Sequence, residues 1–397
     1  MQRSTNRILT THTGSLPRPP DMLEAMRAQE AGPPQAFDQS AFDQRVAEAV
    51  ADNVRRQAEA RIDVVNDGEV GKPSFAAYVN QRLSGFEPRP RQGAVRRGPI
   101  DPNGRDARQF PDYYEYVLAH SPFENVIRMA PRVCVGPLRY VGQALVQRDI
   151  ANLKSAMASH NFVEGFLPST SPVPSNNNSA NEFYASHEEF AAAYADAVRE
   201  EYRAILDAGL VLQIDDPSMI SGWDSRLDLT VEEYRRYAER RVELLNYALR
   251  DLPQDRIRYH TCYGVNFGPR VSDLQLEQII DIFFKINAGA YSFEAANPRH
   301  EHEWRVFESV KLPEGKVLIP GMVTHSNVMI EHPQAVADRI ERWASTVGAE
   351  NLLVGNDCGF ASTAGNAEIP PTVAWAKLQA LGEGARLASQ RLYTKAA

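Results

Sequence analysis

The chain has 397 residues, 43% apolar and 24% charged, a formal net charge of −8 and a pI near 5.7. That is ordinary globular composition with material for a large core, and it lacks the basic footprint of nucleic-acid binding. No apolar run approaches the roughly 18 residues of a membrane span, and the start MQRSTNRILTTHTG has no apolar signal core, so a cytoplasmic protein is expected. Cys134, Cys262 and Cys358 are scattered and odd in number, which suits a reducing compartment where thiols stay free for metal or chemistry.

Along the chain, strand-like segments alternate with amphipathic helical ones, the pattern of a parallel sheet. ILTTHTG is the first strand. A helix with the stripe Phe42, Val46, Val50 and Val54 leads to the second, IDVVNDGE. Residues 84–122, rich in Arg, Pro and Gly, then break the alternation as an insertion, read either as a solvated or subunit-contacting excursion or as a substrate lid. RVCVGP and NFVEGFLP follow, and then the long polar stretch 165–184, of a length that is usually functional or disordered. Ser186 with Glu189 forms a capping box before the stripe Phe190, Tyr194, Val198 and Tyr202, and Gly209 ends that helix.

LVLQIDDP is the next strand, and Thr230 with Glu233 opens the helix after it. RIRYHTCYG, AYSFEAA and VLIPGMVTH come next. Pro333 then takes a first-turn position in a helix ending near Gly348, and LLVGNDCG is the last strand. These nine candidates exceed by one the need of a closed barrel, and RVCVGP, after the Pro/Arg-rich stretch, is expected to lie outside it. The predicted fold is a single α/β domain over residues 1–397, a (β/α)8 TIM barrel with an insertion after the second strand.

Reactive groups collect at the strand tails: Thr13-Gly14-Ser15, Asp67-Gly68-Glu69, Asp215-Asp216, His260-Thr261-Cys262, Glu294, His325 and Asp357-Cys358. In a barrel of this type such tails converge on the C-terminal face. On a strand, His260 and Cys262 point to one face and offer an imidazole and a thiol to a shared space. Taken alone, a buried cysteine beside a hydrogen-bonded histidine explains that pair as well. His300 and His302 sit in RHEHEW among charges that suggest a solvated segment. Asp216 before Pro217 is expected to shape a turn, and Cys134 to be core.

TTHTGSLPRP, DGEVGKPSF, LQIDDP, HTC, SFEAANPR and NDCGF, in this order over nearly the whole chain, resemble the catalytic barrel of cobalamin-independent methionine synthase. The short stand-alone members, relatives of epoxyalkane:coenzyme M transferase, are the expected counterparts. The resemblance implies a zinc ion held by His260, Cys262, Glu294 and Cys358, a set whose two thiolates and carboxylate overcompensate the ion and favour sulfur alkylation. It further implies that Gly14 and Ser15 hold the carboxylate of homocysteine, that Glu69 and Asp215 hold its ammonium, and that His325 protonates the leaving group.

The partners so implied are a small-molecule thiol and a methyl or alkyl donor, with homo-oligomerisation possible and no nucleic acid or membrane. Homocysteine is favoured over coenzyme M, whose sulfonate two carboxylates would repel. The family's pterin-contacting loop corresponds to EGFLPSTSPVPSNNN, which has no tryptophan, so the donor stays open among methylcobalamin, a folate monoglutamate, a small sulfonium and an aryl methyl ether. Epoxide-type alkyl transfer, a metal-dependent hydrolase and a non-catalytic zinc-binding barrel are the alternatives.

Overall fold

The computed structural model describes residues 1–31, 37–89, 103–120, 131–174, 179–264, 267–365 and 369–394. Its strands are β1 (Leu9–Thr10), β2 (Val64–Val65), β3 (Leu83–Pro88), β4 (Arg132–Tyr140), β5 (Glu164–Thr170), β6 (Ser179–Asn181), β7 (Val211–Asp215), β8 (Ile257–His260), β9 (Ala290–Phe293), β10 (Val317–Val323) and β11 (Leu353–Asn356). Eight of them run parallel in the order β1-β11-β10-β9-β8-β7-β5-β2, a nearly closed barrel with helices around it. The expected (β/α)8 fold is present. RVCVGP is indeed outside the barrel: it begins β4, which joins β3 and β6 in a separate three-stranded sheet.

Between β1 and β2 the two ends of the barrel meet without a strand ladder. Asp63 N donates to Thr10 O at 3.1 Å, and the Asp63 carboxylate accepts from Thr10 N at 2.9 Å. Thr11 Oγ1 donates to Val64 O at 2.9 Å.

Alternation along each strand decides what faces the axis. Leu212, Ile214, Ile257, Tyr259, Tyr291, Phe293, Leu318 and Val354 pack with the surrounding helices in the main core. Their neighbours Leu9, Val64, Phe166, Val211, Ala290, Val317, Ile319 and Leu353 form a second cluster, which plugs the barrel interior. Counting on by twos, Asp215 follows Val211 inward, His260 follows Arg258, and Glu294 follows Ala290 and Ser292. The chemistry therefore stands on the rim above an apolar plug.

The helices begin and end where short-range chemistry dictates. Asp38 caps Gln39–Glu59, whose Phe42, Val46, Val50 and Val54 are all buried. Thr230 and Glu233 make the expected reciprocal capping box on Val231–Leu249. Ser186 accepts from Glu189 N at 3.1 Å, but the Glu189 carboxylate takes Ala185 N at 3.2 Å instead of the cap residue's own N–H, so that box is half formed. Pro333 starts Pro333–Val347, which stops at Gly348 with φ of +87°. Among the described residues no helix is long and apolar enough to cross a membrane.

Of the insertion 84–122, residues 90–102 and 121–122 lie outside the described residues. Its visible part begins within β3 and includes the helices Arg105–Gln109 and Pro111–His120. Residues 175–178 of the polar stretch 165–184 are likewise outside. What precedes them is barrel strand β5 and a buried Ser171–Pro174 tail.

Candidate active site

Seven of the eight barrel strands carry a predicted site residue at or just beyond the C-terminal end, from Gly14 and Ser15 after β1 to Cys358 after β11. The ligand atoms of His260, Cys262 and Cys358 lie within 4.8 Å of one another, and all three residues are buried. The two Sγ atoms are 3.0 Å apart, and neither is in a disulfide. Burial lowers the pKa of His260 to about 3, so its ring is neutral, as a metal ligand must be. Its Nδ1 lies 3.3 Å from Ser292 Oγ on β9, which leaves Nε2 as the outward ligand atom.

Glu294 stands beside this trio and belongs to a second group, with His325 and Asp357. Its Oε1 accepts from Tyr263 N at 2.8 Å, and its Oε2 accepts from Arg270 Nη1 at 2.9 Å and Asn297 Nδ2 at 2.8 Å. The four side chains expected around one ion are thus neighbours, with three converging and the carboxylate turned to an arginine. Asp357 accepts from Ala295 N and Ala296 N at 2.7 and 2.8 Å, tying β11 to the β9 loop. His325 is fully buried, with the Gly264 backbone and the Asp357 carboxylate near its ring. Burial lowers its pKa to about 4.

A second cluster lies one strand away. Asp215 is in register with His260, and His260 with Ser292, so β7, β8 and β9 present three polar groups in a row. Asp215 accepts from Gln213 Nε2 at 2.7 Å. Gln213 also reaches Thr13 O, binding the β1 tail to β7. Glu69 has φ of +54°, uncommon for a side-chain-bearing residue and typical of functional turns. Gly14 has φ of +130°, and a Cβ there would come 2.6 Å from Glu69 Oε1, so only glycine lets the β1 tail pass this carboxylate. At Gly359 a Cβ would fall 1.9 Å from Ser15 Oγ, so the glycine leaves room for that hydroxyl in its present rotamer.

Among the described residues, Glu69 Oε2, Asn66 Nδ2, Thr13 Oγ1 and Gln213 Oε1 are buried without hydrogen-bond partners. Burial raises the pKa of Glu69 to about 7, with Asp67 adding to the effect and Lys72 opposing it. Burial, and then the neighbouring Glu69, push Asp215 well above the carboxylate range. Two carboxyl groups that resist sharing negative charge, with an unsatisfied oxygen between strands, form a receptacle for a cation.

Several contributors escaped the sequence reading. Arg270 arrives from an irregular loop, and Asn66 and Gln213 are polar residues at barrel-interior positions whose only signal was the strand parity. RHEHEW needs correction. His300 is not solvated; it is fully buried, between Asp273 Oδ2 and Glu303 Oε2, each 3.1 Å away, and stacked on the Tyr263 ring at 3.9 Å. His302 is exposed. Asp216 does more than shape a turn, since it is buried in an ion pair with Arg241. Cys134 is buried in β4, as expected.

A cavity of about 350 Å³ opens beside the site, between the loops after β8, β9 and β10, with Phe267, Arg270, Asn297, Arg299 and Ser326 among its walls.

Comparison with known proteins agrees with the fold. A family model described as the catalytic domain of cobalamin-independent synthase matches residues 130–377. A methionine synthase of Sulfurisphaera tokodaii is 24% identical over 390 residues, covering 97% of this chain and 94% of that protein. One from Thermococcus kodakarensis is 24% identical over 352 residues, covering 88% and 86%. Among solved structures, a B12-independent methionine synthase from Shewanella sp. W3-18-1 in complex with selenomethionine superposes with a TM-score of 0.70 at 20% identity, covering 98% of this chain and 99% of that one. With the family model spanning more than half of its length, the chain belongs to the cobalamin-independent synthase catalytic-domain family.

Proposed function

We propose that the protein is a zinc-dependent thiol alkyltransferase that methylates homocysteine to methionine. The observation that carries this reading is the adjacency of two receptacles on one rim: a buried imidazole and two thiols within 4.8 Å of one another, and, one strand over, a carboxyl pair with an unsatisfied oxygen. The first suits a borderline-soft divalent ion, and the second suits an ammonium. Homocysteine carries a thiol and an amine on one short chain. The methionine synthases of Sulfurisphaera tokodaii and Thermococcus kodakarensis, similar over most of their length, support the same reading.

His260, Cys262 and Cys358 would hold the zinc, with Glu294 as an exchangeable fourth ligand. Bound there, zinc supplies a Lewis-acidic centre that keeps an incoming sulfur deprotonated at neutral pH yet nucleophilic, because its protein ligands are already electron-rich. Glu69 and Asp215 hold the substrate ammonium, which removes the charge conflict between them. Ser15 Oγ and the backbone at Gly14 face the substrate carboxylate. The methyl or other small alkyl donor enters by the cavity between the β8, β9 and β10 loops. Holding sulfur and carbon at near-attack distance supplies up to roughly 10 kcal/mol of the barrier reduction. His325 is neutral in this environment and carries one N–H. Its service as proton donor belongs to the loaded site, where negative charge on the departing fragment raises its proton affinity.

The test combines a donor screen with X-ray absorption. Purified protein should contain one zinc per chain, gain a sulfur neighbour and lose an oxygen or nitrogen when homocysteine is added, and form methionine, read by mass spectrometry, with at least one class of donor. Metal-free protein that is indifferent to zinc, or zinc whose coordination ignores homocysteine, would overturn the reading.

A further inference from the structure

Both oxygens of Glu294 are taken by the chain's own donors, and the strongest of these is Arg270. Arg270 is 4% exposed and is fixed on several sides. Its Nε donates to Asp273 Oδ2 at 2.8 Å, and its backbone adopts φ of +58°. That backbone is held by a residue from the insertion. Asp106, 2% exposed, accepts from Arg270 N at 2.9 Å through Oδ2 and from Val271 N at 3.1 Å through Oδ1, while Tyr114 Oη donates to Oδ2 at 2.7 Å. The segment bearing Asp106 is docked in turn. Asp106 N donates to Asp224 Oδ1 at 3.0 Å, and the Arg105 guanidinium lies over the Trp223 ring at 3.7 Å.

We propose that Arg270 is a positioning residue that competes with the metal for the Glu294 carboxylate, and that Asp106 of the insertion holds Arg270 in the competing position. The inference rests on the zinc reading given above and concerns how firmly the fourth ligand is held. A buried carboxylate leaving a metal for nothing would be stranded without a counter-charge, which is costly. Here the Arg270 guanidinium waits, with Nη1 2.9 Å from Glu294 Oε2, so leaving costs little and the position opens to an incoming thiol. Removing the guanidinium should turn Glu294 into a tight and permanent ligand.

The experiment is a double-mutant cycle on the full chain, reading zinc affinity by competition with a chromophoric chelator and coordination by the visible bands of the cobalt(II)-substituted protein. Arg270→Met should bind zinc more tightly, on the order of tenfold, with cobalt bands altered by a firmer oxygen ligand. Glu294→Gln should weaken binding little in the wild-type background and much more in the Arg270→Met background. Asp106→Asn should shift affinity in the same direction as Arg270→Met, by less. Equal or weaker binding by Arg270→Met in both Glu294 backgrounds, with unchanged cobalt bands, overturns the proposal. Should Arg270→Met not fold, Arg270→Gln removes the charge with a side chain that can still hydrogen-bond, and the same null result with it counts equally against the idea. If the wild type binds no metal, or Cys262→Ser binds it equally well, the zinc reading fails and takes this proposal with it; normal binding with a null cycle sinks the proposal alone.

Discussion

Glu69 illustrates how one side chain is set apart by its surroundings. It sits in a left-handed backbone conformation, its Oε2 has no partner among the described residues, and burial raises its pKa to about 7. A carboxyl group in that condition gains more from an arriving ammonium than an exposed one would, because it exchanges no water shell for the contact. Glu69→Gln should therefore raise the KM for homocysteine roughly 10- to 100-fold, the worth of one charge-assisted hydrogen bond. Zinc affinity should not change. Steady-state kinetics with homocysteine and with its analogue lacking the amine separates binding from scaffolding: an equal loss with both would assign Glu69 a structural role instead.

Loops and strands differ in how much of them could be read in advance. Parity along RIRYHTCYG puts His260 and Cys262 on one face, because a period of two leaves one choice once the apolar face is known, whereas Asp215 and Glu294 are legible only as strand-tail residues whose roles the family resemblance implies. Eight barrel strands are legible from the alternation of strand-like and helical segments, and the exclusion of RVCVGP from its place after the Pro/Arg-rich stretch. The partner of Glu294 is not, since Arg270 reaches it from an irregular segment whose backbone is set by Asp106, 164 positions away in the chain. RHEHEW misled because charged residues average to the surface, whereas His300 here is enclosed by Asp273, Glu303 and Tyr263, with Arg270 nearby.

That enclosure sets a pH dependence. The carboxylates of Asp273 and Glu303 outweigh burial and raise the pKa of His300 to about 9 from 6.5. A raised folded-state pKa adds stability that is complete below pH 6.5 and fades as pH climbs through about 9. The difference in unfolding free energy between wild type and His300→Gln should accordingly be larger at pH 6 than at pH 10, by about 3 kcal/mol. Urea titrations at the two pH values check this, and a pH-independent difference would mean that His300 is neutral in its cage.

At the scale of the whole barrel, the apolar plug and the ring of helices make a rigid stand, and seven strand ends lean their reactive groups over it. The circle closes at β1 and β2 through a handful of bonds that pivot on one aspartate, Asp63, with no ladder between them. The staves of a cask part first where the hoop is thinnest, and here the thin place is the stave whose tip holds Gly14 and Ser15. Amide protons of Leu9 to Thr13 should exchange with deuterium sooner than those of β7 to β9, and homocysteine should slow them, as an amino acid lodged between the tips of β1 and β7 would stitch the joint from inside. The cargo, on this view, completes the vessel that carries it.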